Sequence, residues 1–269
     1  ILLSLAAAFL SLLAGRYGLS PADTLDALLH PEAKTPASSI VWNVRLPRIL
    51  LAFIAGAGLA ASGAAFQALF ANPLAAPDTL GVATGASFGA VLAILLGLGA
   101  FAIQGLSVLS GLAAIAIVML VARGRNGESG SILMIVLAGM VVGALFTAFV
   151  SIVKFAADPQ DVLPSITFWL MGSLTGASMR TILPGLPLLI LGGAILMSLR
   201  WRLNAASLPK DEAESLGINV RLMRGTVILA ATLMTASVVS LCGLIGWMGL
   251  LVPHAARLLF RSEEHTSEL

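Results

Sequence analysis

One stretch between two apolar blocks is rich in ionisable side chains, the groups best able to do chemistry. Residues 207–224, SLPKDEAESLGINVRLMR, contain six charged residues, whereas residues 49–122 contain only Asp78. A stretch of this kind is typical either of a solvated loop or of a rigid surface that binds a soluble partner. Its composition alone leaves both interpretations open.

Several sequence features argue against catalysis by this chain. It contains no H-E-x-x-H motif and no Cys/His cluster, and Cys242 is its only cysteine. It also contains no G-x-x-x-x-G-K-[ST] phosphate-binding loop. His254 follows Pro253, and a single histidine beside a helix-bending proline is more typical of hydrogen-bonded structure than of a ligand. We therefore expect no catalysis, no metal site, no resident cofactor and no ATP binding.

The composition indicates a membrane protein. Of the 269 residues, 58% are hydrophobic and 10% are charged, whereas a soluble domain carries roughly a quarter charged residues. The apolar runs are about 20 residues long, which is the length of helix that crosses a ~30 Å hydrocarbon core. We predict an all-α, polytopic helical membrane protein with eight spans, at about residues 1–14, 48–70, 81–99, 101–122, 131–153, 181–199, 225–244 and 245–260.

Two regions are predicted to differ from simple spans. Residues 154–180 mix polar and apolar side chains and contain Phe168 and Trp169, which favours an interfacial or re-entrant helix. The chain begins at Ile1 inside an apolar run. Because further spans follow, we expect a truncated first helix rather than a signal peptide.

Positive charges predict the orientation in the membrane. If the first residues are cytoplasmic, nine Lys and Arg residues lie in cytoplasmic loops and six lie in external loops. Because cytoplasmic loops normally contain more Lys and Arg than external loops, this orientation is favoured. Residues 207–224 then face the cytoplasm. The interiors of spans two to seven contain no Asp, Glu, Lys or Arg, although ion-coupled carriers usually keep such residues within the bilayer. A transporter of this composition must obtain its energy from a partner.

Small residues recur at four-residue spacing in three spans. Such spacing lets helix backbones approach closely in lipid, so we interpret these residues as packing positions and assign them no chemistry from spacing alone. The three series are Gly81, Gly85 and Gly89; Gly56, Ala60 and Ala64; and Gly139 and Gly143.

The charged stretch is predicted to form two short helices. Asp211 and Glu212 follow Pro209 and suit a helix N-terminus, where acidic groups meet the positive end of the dipole. Gly217 can adopt the left-handed conformation that ends a helix. Asn219 can cap the next helix, which leads into the seventh span. The result would be a rigid cytoplasmic protrusion.

Four stretches, in the same order, resemble motifs of the FecCD-type permeases. These permeases are the membrane subunits of ABC importers for iron–siderophore complexes, haem and cobalamin. The resemblance implies a subunit of the inner (plasma) membrane that works with a second permease subunit, a pair of cytoplasmic ATPase subunits and an extracytoplasmic substrate-binding protein, and without nucleic acid. The stretches are RLPRILLAFIAGAGLAASGAAFQALFANPLAAPDTLGVATGASFGA (45–90), FWLMGSLTGAS (168–178), DEAESLGINV (211–220) and GLIGWMGLLVPHAARLL (243–259).

The resemblance also implies roles for the charged residues. In the family, the loop that matches 207–220 inserts into the cytoplasmic ATPase and transmits its closure. The residues that this implies for ATPase coupling are Glu212, Ala213, Leu216 and Gly217. The family's RLPR motif lies at the external mouth, which implies that Arg45 and Arg48 dock the binding protein. Without the resemblance, simple interfacial anchoring would be the favoured interpretation of these two arginines.

A predicted break at the end of the second span is the candidate gate. Pro73 and Pro77 in ANPLAAP, residues 71–77, do not allow a continuous helix. In the family this turn contributes to the inner constriction, so Asn72 and Leu74 are implied gate residues. The fifth span lines the family's pathway, and its Gly139 and Gly143 would leave room for a bulky ligand.

Two other functions remain open from the sequence. An ion-coupled secondary transporter would be indicated by ion-binding carboxylates inside a span, and a non-transporting scaffold would need neither the break nor the charged stretch. No side chain indicates which substrate is carried.

The last residues are expected not to belong to the permease. The family's permeases have ten spans, two of them after the Pro-His-x-x-x-Arg segment, so we expect two helices in addition to the eight predicted here. RSEEHTSEL, residues 261–269, resembles the in-frame translation of a sequencing-library adapter. We expect a permease domain over residues 1–260, with its coupling loop at about residues 201–224, and an artefactual tail over residues 261–269.

Overall fold

Helices account for the regular structure of the described part of the chain. The structure, a computed structural model, describes residues 2–15, 17–33, 35–73, 75–122, 132–206 and 219–260. The α-helices are α1 (Leu2–Leu13), α2 (Pro21–Leu29), α3 (Pro36–Ile40), α4 (Leu46–Leu69), α5 (Val82–Leu95), α6 (Ala100–Val121), α7 (Ile132–Ala156), α8 (Val162–Leu170), α9 (Met179–Ile182), α10 (Leu186–Ala206), α11 (Val220–Cys242) and α12 (Met248–Phe260). Val41–Arg45 form a π-helical turn before α4, and Pro77–Leu80 and Leu183–Gly185 form 3₁₀ turns.

Each of the eight predicted spans contains an apolar helix, which confirms the polytopic helical fold. The shorter apolar helices are Ser4–Leu13, Val82–Leu95 and Met248–Leu259. Five other segments of the described chain are long and apolar enough to cross a membrane: Pro36–Leu69, Ala100–Val121, Leu133–Ala156, Met179–Leu203 and Val220–Cys242. The interrupted region 154–180 contains the short helix α8 and the beginning of α9 rather than one continuous span.

Helix α11 forms the centre of the bundle. It packs against α4, α6 and α10, and every residue from Ala230 to Ser240 is buried. Polar side chains within this buried part are small, and the Thr235 hydroxyl donates a hydrogen bond of 3.2 Å to the Ser62 hydroxyl of α4. Because neighbouring helices surround α11, its hydroxyl groups face protein rather than lipid.

Two of the predicted small-residue positions pack α5 closely against α6. A Cβ on Gly85 would lie 2.5 Å from the Ala114 Cβ, and a Cβ on Gly89 would lie 2.0 Å from the Leu106 carbonyl oxygen. The prediction is wrong for Gly56, because no atom lies within 4 Å of its Cβ position. The physical reason is that no neighbouring helix of the described chain lies close against α4 at this position.

Candidate functional site

The helix that follows the predicted coupling loop is capped as expected. The Asn219 side-chain oxygen accepts a hydrogen bond of 3.0 Å from the Leu222 N–H, in the first turn of α11. Helix α10 ends at Ala206. The predicted coupling residues lie between these two helices, outside the described residues, and their role remains a prediction: Glu212, Ala213, Leu216 and Gly217.

The predicted helix break is present after α4. The described residues from Phe70 to Ala76 are not helical, and the Pro77–Leu80 turn follows. Asn72 is exposed, and its N–H donates to the Gln67 carbonyl oxygen at 3.1 Å. Leu74 lies outside the described residues. The geometry therefore confirms the break, whereas the gate role of Asn72 and Leu74 remains a prediction.

Gly139 and Gly143 of α7 both lie against the segment that follows this break. A Cβ on Gly139 would be 2.6 Å from the Thr79 carbonyl oxygen and 2.7 Å from the Leu80 Cα. A Cβ on Gly143 would meet its nearest atom, the Gly81 Cα, at an ordinary 3.4 Å. Gly139 is therefore required for close packing of the 3₁₀ turn on α7, and Gly143 has space for a small side chain.

Asp78 links the 3₁₀ turn to α12. Its carboxylate accepts a hydrogen bond from the backbone N–H of Trp247, the residue before α12. The residue is exposed to solvent, and neighbouring protein atoms partly desolvate its carboxyl group. This desolvation raises the pKa of the Asp78 carboxyl, and the bond from Trp247, which stabilises the charged form, opposes the rise.

A second polar contact joins α4 and α12. The Arg257 Nη2 donates a hydrogen bond of 2.5 Å to Oε1 of Gln67, which is 5% exposed. His254, three residues earlier, is exposed. Sequence reasoning missed this contact. A polar Gln67 in an apolar helix and the arginine of Pro-His-x-x-x-Arg were the two available signals.

The two arginines of the RLPR motif have different surroundings. Arg45 is 7% exposed, and its guanidinium donates to the carbonyl oxygens of Leu12, of Leu13 at 3.3 Å and of Tyr17 at 2.7 Å. Arg48 is exposed and makes no hydrogen bond or ion pair with the described residues. The Arg48 side chain is thus exposed, whereas the Arg45 side chain is bound by backbone carbonyl groups of this chain, and the docking role of both residues remains a prediction.

A pattern with the spacing of a catalytic motif lies within a packed helix. GASFG, residues 85–89, matches the G-x-S-x-G spacing of hydrolase nucleophiles, which need a strand–turn–helix context. Here the pattern lies inside α5, where Ser87 is buried and its hydroxyl donates to the Ala83 carbonyl oxygen at 2.8 Å. Among the described residues, no three His, Cys, Asp or Glu side chains are grouped to hold a metal ion.

The helical bundle with its broken helix defines the class as a multi-pass membrane protein. Within that class, the profile of the FecCD transport family matches residues 2–269. The chain therefore belongs to the FecCD transport family.

Curated relatives and a solved structure agree with this assignment. The molybdate import system permease protein of Haemophilus influenzae is 38% identical over 96% of this chain and 77% of its own length. A Helicobacter pylori protein named as an iron chelatin transport system permease is 38% identical over 86% of this chain and 69% of its own length. A solved structure described as a metal-chelate type ABC transporter, inward-facing, has a TM-score of 0.85 and 38% identity, and covers 96% of this chain and 79% of its own.

Proposed function

We propose that this chain is the membrane-spanning subunit of an ATP-driven importer for a metal-containing solute. The observation that carries the proposal is the likeness, over 96% of the chain, to the metal-chelate type ABC transporter. The relative named for molybdate import supports the inward direction. These likenesses favour an importer over the ion-coupled alternative.

The proposal includes partners that supply energy and substrate. Two such subunits would cross the inner (plasma) membrane together, with a pair of ATPase subunits on the cytoplasmic side and a binding protein outside. The sequence has no phosphate-binding loop of its own, which supports ATP hydrolysis in a separate subunit. Residues 207–220 are the proposed ATPase contact, and Asn72 and Leu74 are the proposed inner gate.

Uptake by the purified complex in proteoliposomes tests the proposal. We expect ATP on the ATPase side of the vesicle membrane to drive transport of molybdate, a ferric siderophore or cobalamin. This transport should occur only when the binding protein is present. Vesicles with a proton or sodium gradient and no ATP are the control. Uptake driven by the gradient alone would establish the ion-coupled transporter instead.

A further inference from the structure

Helix α12 contacts the chain on both sides of the break after α4. Before the break, the Cβ position of Gly63 lies directly against the backbone of Gly249. After the break, the Trp247 N–H donates to the Asp78 carboxylate, and the Cβ position of Gly249 lies 3.4 Å from Cδ of Pro77. The position of α12 therefore bears on both ends of the break.

Gln67 adds a polar contact in the last turn of α4. Its side chain is 5% exposed, and its Oε1 accepts the hydrogen bond from the Arg257 Nη2 of α12. Its backbone carbonyl oxygen accepts from the Asn72 N–H at 3.1 Å, inside the break. One residue thus connects α12, through its side chain, to the first residues of the break, through its backbone.

The amide of Gln67 is only partly satisfied by this contact. Its Nε2 is buried and has no hydrogen-bond partner among the described residues, and a buried donor without a partner costs free energy. The amide cannot turn over, because its NH₂ group would then face the guanidinium of Arg257, which only donates. The bond to Arg257 therefore holds the amide in an orientation that leaves one donor unpaired. A contact of this kind is suited to being made in one conformation and broken in another.

We propose that Gln67 and Arg257 are positioning residues for the proposed inner gate. Their bond holds α12 against the end of α4 and keeps the break in one shape, and the bond opens when the transporter changes conformation. The opening step rests on the proposed function, because a protein that does not transport has no such cycle.

A buried alanine inside the break can report its opening. Ala75 is 3% exposed, so a cysteine at this position reacts with a membrane-impermeant maleimide only when the break opens. The measurement uses the complete transporter in nanodiscs without ATP, and every variant contains Ala75→Cys. Cys242 is also buried, and the chain without Ala75→Cys gives the background reaction.

Substitutions at the two residues should change the reaction rate in opposite directions. Arg257→Met keeps an apolar stem and removes the donors, so we expect labelling of Ala75→Cys to be about tenfold faster. Arg257→Lys should lie between Arg257→Met and the original chain, because an ammonium keeps one donor to Gln67. Gln67→Glu forms a charge-assisted pair with Arg257 and has no amide donor, so labelling should be about fivefold slower. Gln160→Glu, at an exposed position before α8, controls for the added charge. Equal rates in Arg257→Met, Arg257→Lys and the original chain would overturn the positioning role, whether or not Gln67→Glu assembles.

Uptake by the same complexes tests the opening of the bond. Gln67→Glu should slow ATP-driven uptake while the thermal unfolding midpoint stays the same or rises, because the stronger bond opposes the change of conformation. A contact with a purely structural role would leave uptake at the original rate, and that result in an assembled Gln67→Glu complex would overturn the opening step. Labelling needs no ATP, so it is independent of the energy source. Uptake driven by an ion gradient alone, with the expected order of labelling rates, would remove the proposed importer and leave the positioning role standing.

Discussion

Gly63 of α4 and Gly249 of α12 are in direct backbone contact. A Cβ on Gly63 would lie 1.8 Å from the Gly249 carbonyl oxygen. The Cβ position of Gly249 is 3.4 Å from Cδ of Pro77, in the 3₁₀ turn after the helix break. Near Gly249, helix α12 therefore contacts both α4 and the turn, and a displacement of α12 would be passed to the proposed gate region.

Replacement of Gly63 tests this contact. We expect Gly63→Ala to lower the thermal unfolding midpoint of the detergent-purified complex, because overpacking a well-packed contact costs about 1–3 kcal/mol. Gly56→Ala is the matched control on the same helix, since no atom lies within 4 Å of its Cβ position. Equal midpoints for the two variants would contradict the close contact between α4 and α12.

Gly139 and Gly143 should respond differently to the same substitution. Gly139→Ala should destabilise the complex, because the new Cβ would meet the Thr79 carbonyl oxygen at 2.6 Å. Gly143→Ala should leave the unfolding midpoint unchanged, since its nearest contact would be 3.4 Å.

If Gly143 lines the pathway, Gly143→Leu should reduce uptake while ATP hydrolysis by the complex persists. Normal uptake by a stably assembled Gly143→Leu complex would remove Gly143 from the pathway.

Local sequence patterns predicted the features that depend on neighbouring residues. The spans followed from apolar length, the break after Leu69 from Pro73 and Pro77, and the cap of α11 from Asn219. In each case, the physical cause lies within a few residues of its effect. Such features are predictable because no distant part of the chain is needed to produce them.

Contacts between distant residues were not predictable in this way. Arg45 and Arg48 share one motif, but the carbonyl groups that hold Arg45 belong to the end of α1 and to Tyr17 after it, about 30 positions earlier. Gln67 and Arg257 meet across 190 positions. Gly56 was expected to pack because spacing shows which residues share a helix face, whereas it does not show where the neighbouring helix begins.

Coupling to the ATPase can be tested at Gly217. If residues 207–220 dock the ATPase, Gly217→Pro should distort the protrusion while leaving the spans inserted, because proline fixes φ and cannot donate a backbone hydrogen bond. We expect loss of substrate-stimulated ATP hydrolysis or dissociation of the ATPase during purification. Gly217→Ala is the control for loss of the glycine alone. Transport at the original rate by Gly217→Pro would remove the coupling role from this loop.

The Asp78 carboxyl should make the stability of the complex depend on pH. Desolvation raises its pKa in the folded chain above the ordinary value of 3.8, so the protonated form favours folding. The resulting contribution to the free energy of unfolding is fully present below pH 3.8, and it is lost as the pH rises through the folded-state pKa of Asp78. Asp78→Asn keeps an oxygen that can accept the Trp247 N–H bond and cannot ionise. We therefore expect its unfolding midpoint to fall less than that of the original chain between about pH 4 and about pH 7. Asp161→Asn, which removes the charge of an exposed carboxylate, controls for net charge. Parallel pH profiles for Asp78→Asn and the original chain would show that this carboxyl does not contribute to the pH dependence.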